Sequence, residues 1–150
     1  MIIADEPTTA LDVTVQAQIM DLMGQLQSDF CMGIILITHD LGVVAGSCED
    51  TLVLYGGRVM ESGPTQQLFS DSTHPYTRGL LRAVPRLGAK HAQLATIPGN
   101  PPNMLHPPAG CAFSPRCDFA TDECKTLKPT LTTFAQERSR ACHLQQEELV

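Results

Sequence analysis

The chain contains no apolar run approaching the roughly 20 residues that a membrane-spanning helix requires, no cluster of basic residues, no internal repeat and no low-complexity tract. Met1 is followed by only three apolar residues and then acids, so no signal peptide is expected. Ten Lys and Arg stand against 16 Asp and Glu, for a formal net charge of −6. That balance argues against a nucleic-acid binder, which works by neutralising phosphates with basic side chains. The remainder is ordinary: 150 residues, 43% hydrophobic and 17% charged, long enough for one domain or for part of a larger domain plus an appendage. A soluble or peripheral cytosolic protein is the expectation.

Six cysteines are the compositional oddity. Without a secretory signal a disulfide framework is not expected, because the cytosol keeps thiols reduced. Cys31 and Cys48 stand apart in apolar or mixed surroundings and are expected to be buried and inert. The other four, Cys111, Cys117, Cys124 and Cys142, are spaced C-x5-C-x6-C-x17-C in a segment with little apolar periodicity. Where burial is thin, metal ligation can supply folding energy. Structural zinc sites carry pairs at C-x2-4-C, tighter than either short gap here. Four cysteines also satisfy a [4Fe-4S] cluster, although the gaps are not ferredoxin gaps. Iron-sulfur, zinc and four free thiols all stay open on spacing alone, with His143 expected to be a neighbour of the ligands.

The organisation of the chain is legible from its start. "IIADEPTTALD" delivers an apolar strand into Asp5 and Glu6, and Asp12 then N-caps an apolar stripe at Val15, Ile19, Leu22, Met23 and Leu26, an amphipathic helix. "MGIILIT" follows as a strand expected to be covered on both faces of a parallel sheet, ending at His39 and Asp40. "LGVVAGS" reads as a short helix, and "TLVLYGGRVMESG" as two strands turning at Gly56-Gly57. Strand, helix, strand is the βαβ grammar of an α/β fold, in which ligands bind beyond the carboxyl ends of the strands. Asp5, Glu6 and His39 all fall at that edge. Two short helices are expected in "PTQQLFSD" and "HPYTRGLLRAV", the second with Pro75 in its first turn. A connector with six prolines runs from Pro85 to Pro108, and the cysteine segment "GCAFSPRCDFATDECKTLKPTLTTFAQERSRACHL" closes the chain.

These segments resemble the nucleotide-binding subunits of ATP-binding-cassette transporters, in particular those of oligopeptide and dipeptide importers. "IIADEPTTALD" is similar to a Walker B strand running into the D-loop, "ILITHDL" to the switch-histidine segment, and "HPYTRGLL" with the cysteines to the C-terminal extension of the peptide-importer branch. The resemblance covers essentially the whole chain, from Walker B onward. It implies an α/β fold: residues 1–63 as the C-terminal part of a P-loop NTPase parallel sheet with helices, and residues 64–150 as a loop-rich extension carrying the four-Cys site.

Carried over by position, Asp5 resembles the acid that helps hold Mg2+, Glu6 the carboxylate that polarises the attacking water, His39 the histidine at the γ-phosphate, and Asp12 the D-loop acid at the dimer interface. Similar cysteine segments in the family are associated with a [4Fe-4S] cluster, with Zn2+ the alternative. ATP is the implied nucleotide. The implied partners are a second ATPase subunit, two membrane-spanning permease subunits and an external peptide-binding protein, at the cytoplasmic face of the inner membrane. The chain departs from the family in having no G-x-x-x-x-G-K-[ST] and no Ser-Gly-Gly signature before the Walker B strand. The expectation is therefore the C-terminal portion of such a subunit, with Met1 an internal or replacement start and no ATPase activity alone. The competing reading is a stand-alone iron-sulfur or zinc-binding remnant without ATPase or transport activity.

Overall fold

The computed structural model of the chain describes residues 1–84 and 96–145, arranged as two compact units, Met1–Cys48 and Glu49–Val150. In the first unit β1 (Ile2–Asp5) and β2 (Ile34–Ile37) pair in parallel, with Ile2 opposite Ile34 and Asp5 opposite Ile37. Between them runs α1 (Val13–Phe30), and α2 (Leu41–Ser47) follows β2. Asp12 caps α1: its extended backbone turns Oδ1 toward the Thr14 and Val15 N–H groups, each 3.0 Å away. This satisfies two donors that a helix start leaves without intrahelical partners.

Two expectations for this unit are corrected. The strands are not covered on both faces: Ile3, Ile35 and Ile37 are 61%, 48% and 45% exposed. They project from one face, because side chains alternate along a strand and these positions lie in register. Cys31 is exposed rather than buried, and Cys48 only half-buried. Cys31 ends α1 in the left-handed conformation at φ 48°, its N–H donating to the Gln27 carbonyl.

In the second unit β3 (Asp50–Tyr55) and β4 (Arg58–Pro64) form the expected hairpin, with Gly56 and Gly57 at φ 55° and 70°. Two successive positive φ angles are what a two-residue primed turn demands, and glycine adopts them without steric cost. Then come α3 (Thr65–Ser70) and α4 (Pro75–Ala83), with Pro75 in the first turn of α4. Residues 85–95 of the expected connector lie outside the described residues, and 96–109 carry no helix or strand. A 3-10 turn (Ser114–Arg116), α5 (Asp122–Thr126), β5 (Thr132–Ala135) and β6 (Arg138–Arg140) complete the unit. The sheet order is β3-β4-β6-β5, so the cysteine segment adds two strands to the hairpin. The change of texture at residue 64 is therefore not the edge of a compact unit; β4 binds β6 through Glu61 opposite Arg140 and Ser62 opposite Ser139.

An ionic cluster lies on the inner side of that seam. Glu61 is 0% exposed, and its carboxylate accepts from the Thr73 N–H at 2.7 Å, the Thr73 hydroxyl at 2.8 Å and the His74 N–H at 3.1 Å. Arg138, itself buried, lies 3.6 Å from the same carboxylate and reaches Asp71 Oδ2 at 3.1 Å, while Arg140 donates to the Thr73 carbonyl at 3.2 Å. Both guanidiniums also stack over Phe134, 5.1 and 5.3 Å from its centroid. Beside this cluster sits a small aromatic core of Tyr55, Tyr76 and Phe113, with ring centroids 4.5 to 5.4 Å apart. Arg116 closes the core, donating to the Ile97 and Pro98 carbonyls at 2.8 Å each and to the Tyr55 hydroxyl at 3.2 Å.

Removing one partner of a buried ionic cluster strands the rest. Glu61→Ala should destabilise the unit by about 3–5 kcal/mol in denaturant unfolding. His74, 1% exposed, is pulled down to about 4, chiefly by burial, and accepts the Tyr76 N–H at 3.1 Å as the cap of α4. It stays neutral in the fold while an unfolded chain protonates it, so stability should fall as pH drops from about 6.5 toward 4 and level off below. Urea unfolding at a series of pH values, with His74→Gln flattening the slope, checks this.

Candidate functional sites

The carboxyl ends of β1 and β2 hold the first site. Glu6 follows β1 directly, and its N–H donates to the Ile37 carbonyl at 2.8 Å, extending the ladder by one bond. Its φ is 48°, a left-handed conformation uncommon for a residue with a side chain and of order 1–3 kcal/mol in cost. Turned this way, Glu6 Oε1 meets His39 Nδ1 at 2.7 Å, and Oε2 accepts the Thr9 hydroxyl. The Thr9 and His39 hydrogen bonds hold the Glu6 carboxyl below its usual range, and Glu6 in turn raises His39. Asp40 caps α2 through the Gly42 and Val43 N–H groups at 2.8 and 3.2 Å, and its other oxygen takes the Gln16 amide at 3.4 Å. Asp5 is exposed at the end of β1, opposite Ile37. Of the residues picked out in this unit, Glu6 and His39 are joined, Asp5 adjoins them in the chain, and Asp12 is engaged in capping α1.

The second site is a cavity lined by all four late cysteines, together with His74, Phe113 and His143. Its walls come from distant segments. The Cys111 N–H donates to the Cys124 carbonyl at 2.8 Å, which docks the 3-10 turn on α5. Gly110 permits that approach, since a Cβ there would sit 2.3 Å from the Cys124 carbonyl oxygen. His143 Nε2 lies 3.0 Å from the Leu127 carbonyl and Nδ1 3.6 Å from Glu123, which ties the Cys142 segment to α5.

Burial raises the thiols of Cys111 and Cys142 and pushes Cys117 up to about 11, and the neighbouring sulfurs add to the effect. The backbone at Phe113, Phe119 and Leu144 works against this, lowering Cys111, Cys117 and Cys142 respectively. Donors aimed at sulfur stabilise a thiolate or a metal-bound sulfur more than a neutral thiol. Among the described residues, no three His, Cys, Asp or Glu side chains converge closely enough to hold one metal ion. The expectation of a four-Cys metal site is corrected to that extent: the sulfurs share a cavity without closing on a point, as a lone tetrahedral zinc would require at about 2.3 Å.

Residues 60–124 match the family described as the oligopeptide/dipeptide transporter C-terminal region. Across 147 residues the chain is 58% identical to the oligopeptide transport ATP-binding protein OppD of Haemophilus influenzae, covering 98% of this chain and 45% of that protein. Identity to OppD of Salmonella typhimurium is 55% over 150 residues, 100% of this chain and 44% of that one. The dipeptide transport ATP-binding protein DppD of Escherichia coli is 46% identical over 143 residues, 95% of this chain and 44% of the relative. The chain belongs to the oligopeptide transport ATP-binding family. It spans less than half the length of the relatives it matches. No helix among the described residues is long and apolar enough to cross a membrane.

Within this family member, sequence reasoning did not find Thr9, Glu61 or the two arginines of β6. Thr9 stands three residues after Glu6, the spacing at which a turn brings two side chains together, and that signal was available in "EPTT". The others are polar residues turned inward, for which periodicity gives no sign.

The Glu6–His39 contact predicts a titration. With His39 raised and Glu6 lowered, the ion pair is complete below the usual imidazole value, is lost as pH rises through the raised His39 value, and is lost again where Glu6 protonates. An NMR titration should find His39 above the ordinary imidazole value in the parent and lower in Glu6→Gln. An unchanged His39 curve in the variant would show that the contact does not form in solution.

Proposed function

We propose that the chain supplies the hydrolytic edge of the ATP-binding subunit of a peptide importer, and that the complete subunit couples ATP hydrolysis to peptide transport. The observation that carries this is the Glu6–His39 pair, set at the carboxyl ends of two parallel strands in a chain 55–58% identical to OppD proteins. Phosphoryl transfer asks a protein mainly for positioning and charge. In this reading Asp5, exposed at the end of β1, holds Mg2+. Glu6 accepts a hydrogen bond from the attacking water, oriented by Thr9, and its lowered pKa keeps it an acceptor. His39, oriented by its Nδ1 contact with Glu6, would face the γ-phosphate. Asp12 acts twice, as the cap of α1 and as a contact to a second ATPase subunit. Two membrane-spanning permeases and an external peptide-binding protein complete the importer, with this subunit peripheral on the cytoplasmic face of the membrane.

We propose that the four cysteines hold a [4Fe-4S] cluster, with Zn2+ the alternative. What supports this is the donor set: four cysteine sulfurs line one cavity, the number of ligands that such a cluster takes. The cysteines would hold the cluster for structure, by cross-linking the 3-10 turn, α5 and the segment after β6.

Two measurements test the proposal. Joined to a half bearing the phosphate-binding loop and signature, the subunit should hydrolyse Mg-ATP, and Glu6→Gln should retain ATP binding while turnover drops by about 10² or more. Parental turnover in the variant would demote Glu6 to a loop acid. Anaerobic purification of the chain should yield iron and acid-labile sulfide in equal amounts; one zinc without sulfide would overturn the cluster.

A further inference from the structure

Of the four cavity sulfurs, that of Cys124 has a side-chain hydroxyl within hydrogen-bond distance. Thr121 caps α5, its hydroxyl oxygen 3.5 Å from the Cys124 N–H, and the same oxygen lies 3.3 Å from Cys124 Sγ. The geometry allows one hydroxyl to do both at once. Its oxygen accepts from the amide, and its proton is left to point at the sulfur. For a thiol the direction of the O···S contact is open, because either atom can donate. A metal-bound sulfur has no proton, so there the hydroxyl must donate.

We propose that Thr121 is a positioning residue of the cysteine centre, its hydroxyl donating a hydrogen bond to the Cys124 sulfur and thereby setting how firmly Cys124 holds the centre and at what potential the centre is reduced. The proposal rests on the cluster reading above. Hydrogen bonds to the sulfurs are among the terms that set a cluster's potential, since they stabilise the more negative reduced form. They also fix the ligand's orientation, and losing such a partner weakens a metal site by about 10- to 100-fold. Cys124 is the ligand most in need of it. It lies on α5, a helix of five residues, and its carbonyl already anchors the Cys111 N–H.

The test uses the whole chain, loaded with iron and sulfide under anaerobic conditions. Thr121→Val removes the donor and the cap together. Thr121→Asp keeps a good cap but has no proton to give, and Thr121→Ser keeps both. The Val and Asp variants should be reduced at a more negative potential than the parent and should lose iron to a chelator about tenfold faster, while Ser behaves as the parent. A shift in Val that Asp does not share would reduce Thr121 to a helix cap and overturn the proposal, as would unchanged potentials in both. A parent that binds no iron and sulfide overturns the cluster reading itself, and the role of Thr121 with it; a loaded parent with indifferent variants overturns Thr121 alone.

Discussion

The Glu49–Val150 unit depends on a carboxylate that has no access to water. Glu61 sits on β4, and every group that neutralises or solvates it comes from somewhere else: Thr73 and His74 from the turn before α4, and Arg138 from β6. A buried charge left unpaired is costly enough to decide a conformation, so these segments cannot drift independently. The turn is fixed, which aims α4 and places Tyr76 against Tyr55 and Phe113. β6 is fixed as well, which seats the Ala141 N–H on the Met60 carbonyl at 2.9 Å and brings Cys142 to the cavity. The cysteine cavity is thus a consequence of a charge buried some fifty residues before its first cysteine in the chain.

The Met1–Cys48 unit works with the opposite economy, since its polar groups are collected at one exposed edge. Helix caps and functional groups alternate there along the chain: Glu6, then the Asp12 cap, then His39, then the Asp40 cap. Capping α2 with Asp40 fixes the backbone immediately after His39, whose imidazole meets Glu6. The left-handed conformation of Glu6 does the same from the other strand.

Sequence disclosed the elements that follow apolar periodicity or turn chemistry. The helix read from the stripe Val15 to Leu26, the cap at Asp12, the Gly56-Gly57 hairpin and Pro75 at the start of α4 all appear where the residues place them, although Leu22 of the stripe is 50% exposed and Met23 is the buried residue of the helix. Hidden from it were β5 and β6, and the reason is specific. The inward residues of β6 are Arg138 and Arg140, so the strand has no apolar face, and its turn places a glutamate, Glu137, at φ 59° where glycine or asparagine would have signalled a hairpin. The final segment was expected to lack a hydrophobic core. It has a small one, assembled from Phe113 and tyrosines of other elements, which no local window contains. At the first site, strand grammar placed Glu6 and His39 at one edge, whereas their direct contact and the Thr9 hydroxyl on the same carboxylate depended on the tight turn after Glu6.

Gly110 carries an implication for how this segment tolerates change. A methyl group there would meet two backbone atoms, the Cys124 oxygen at 2.3 Å and the Lys125 carbonyl carbon at 2.6 Å, and backbone has no rotamer with which to yield. Relief would require α5 to retreat from the 3-10 turn, separating Cys111 from Cys124. In a survey of single substitutions across the segment, position 110 should therefore be as intolerant as a cysteine, although it contributes no atom to the cavity. Where two cysteine-bearing segments meet main chain to main chain, it is the residue with no side chain that keeps them together.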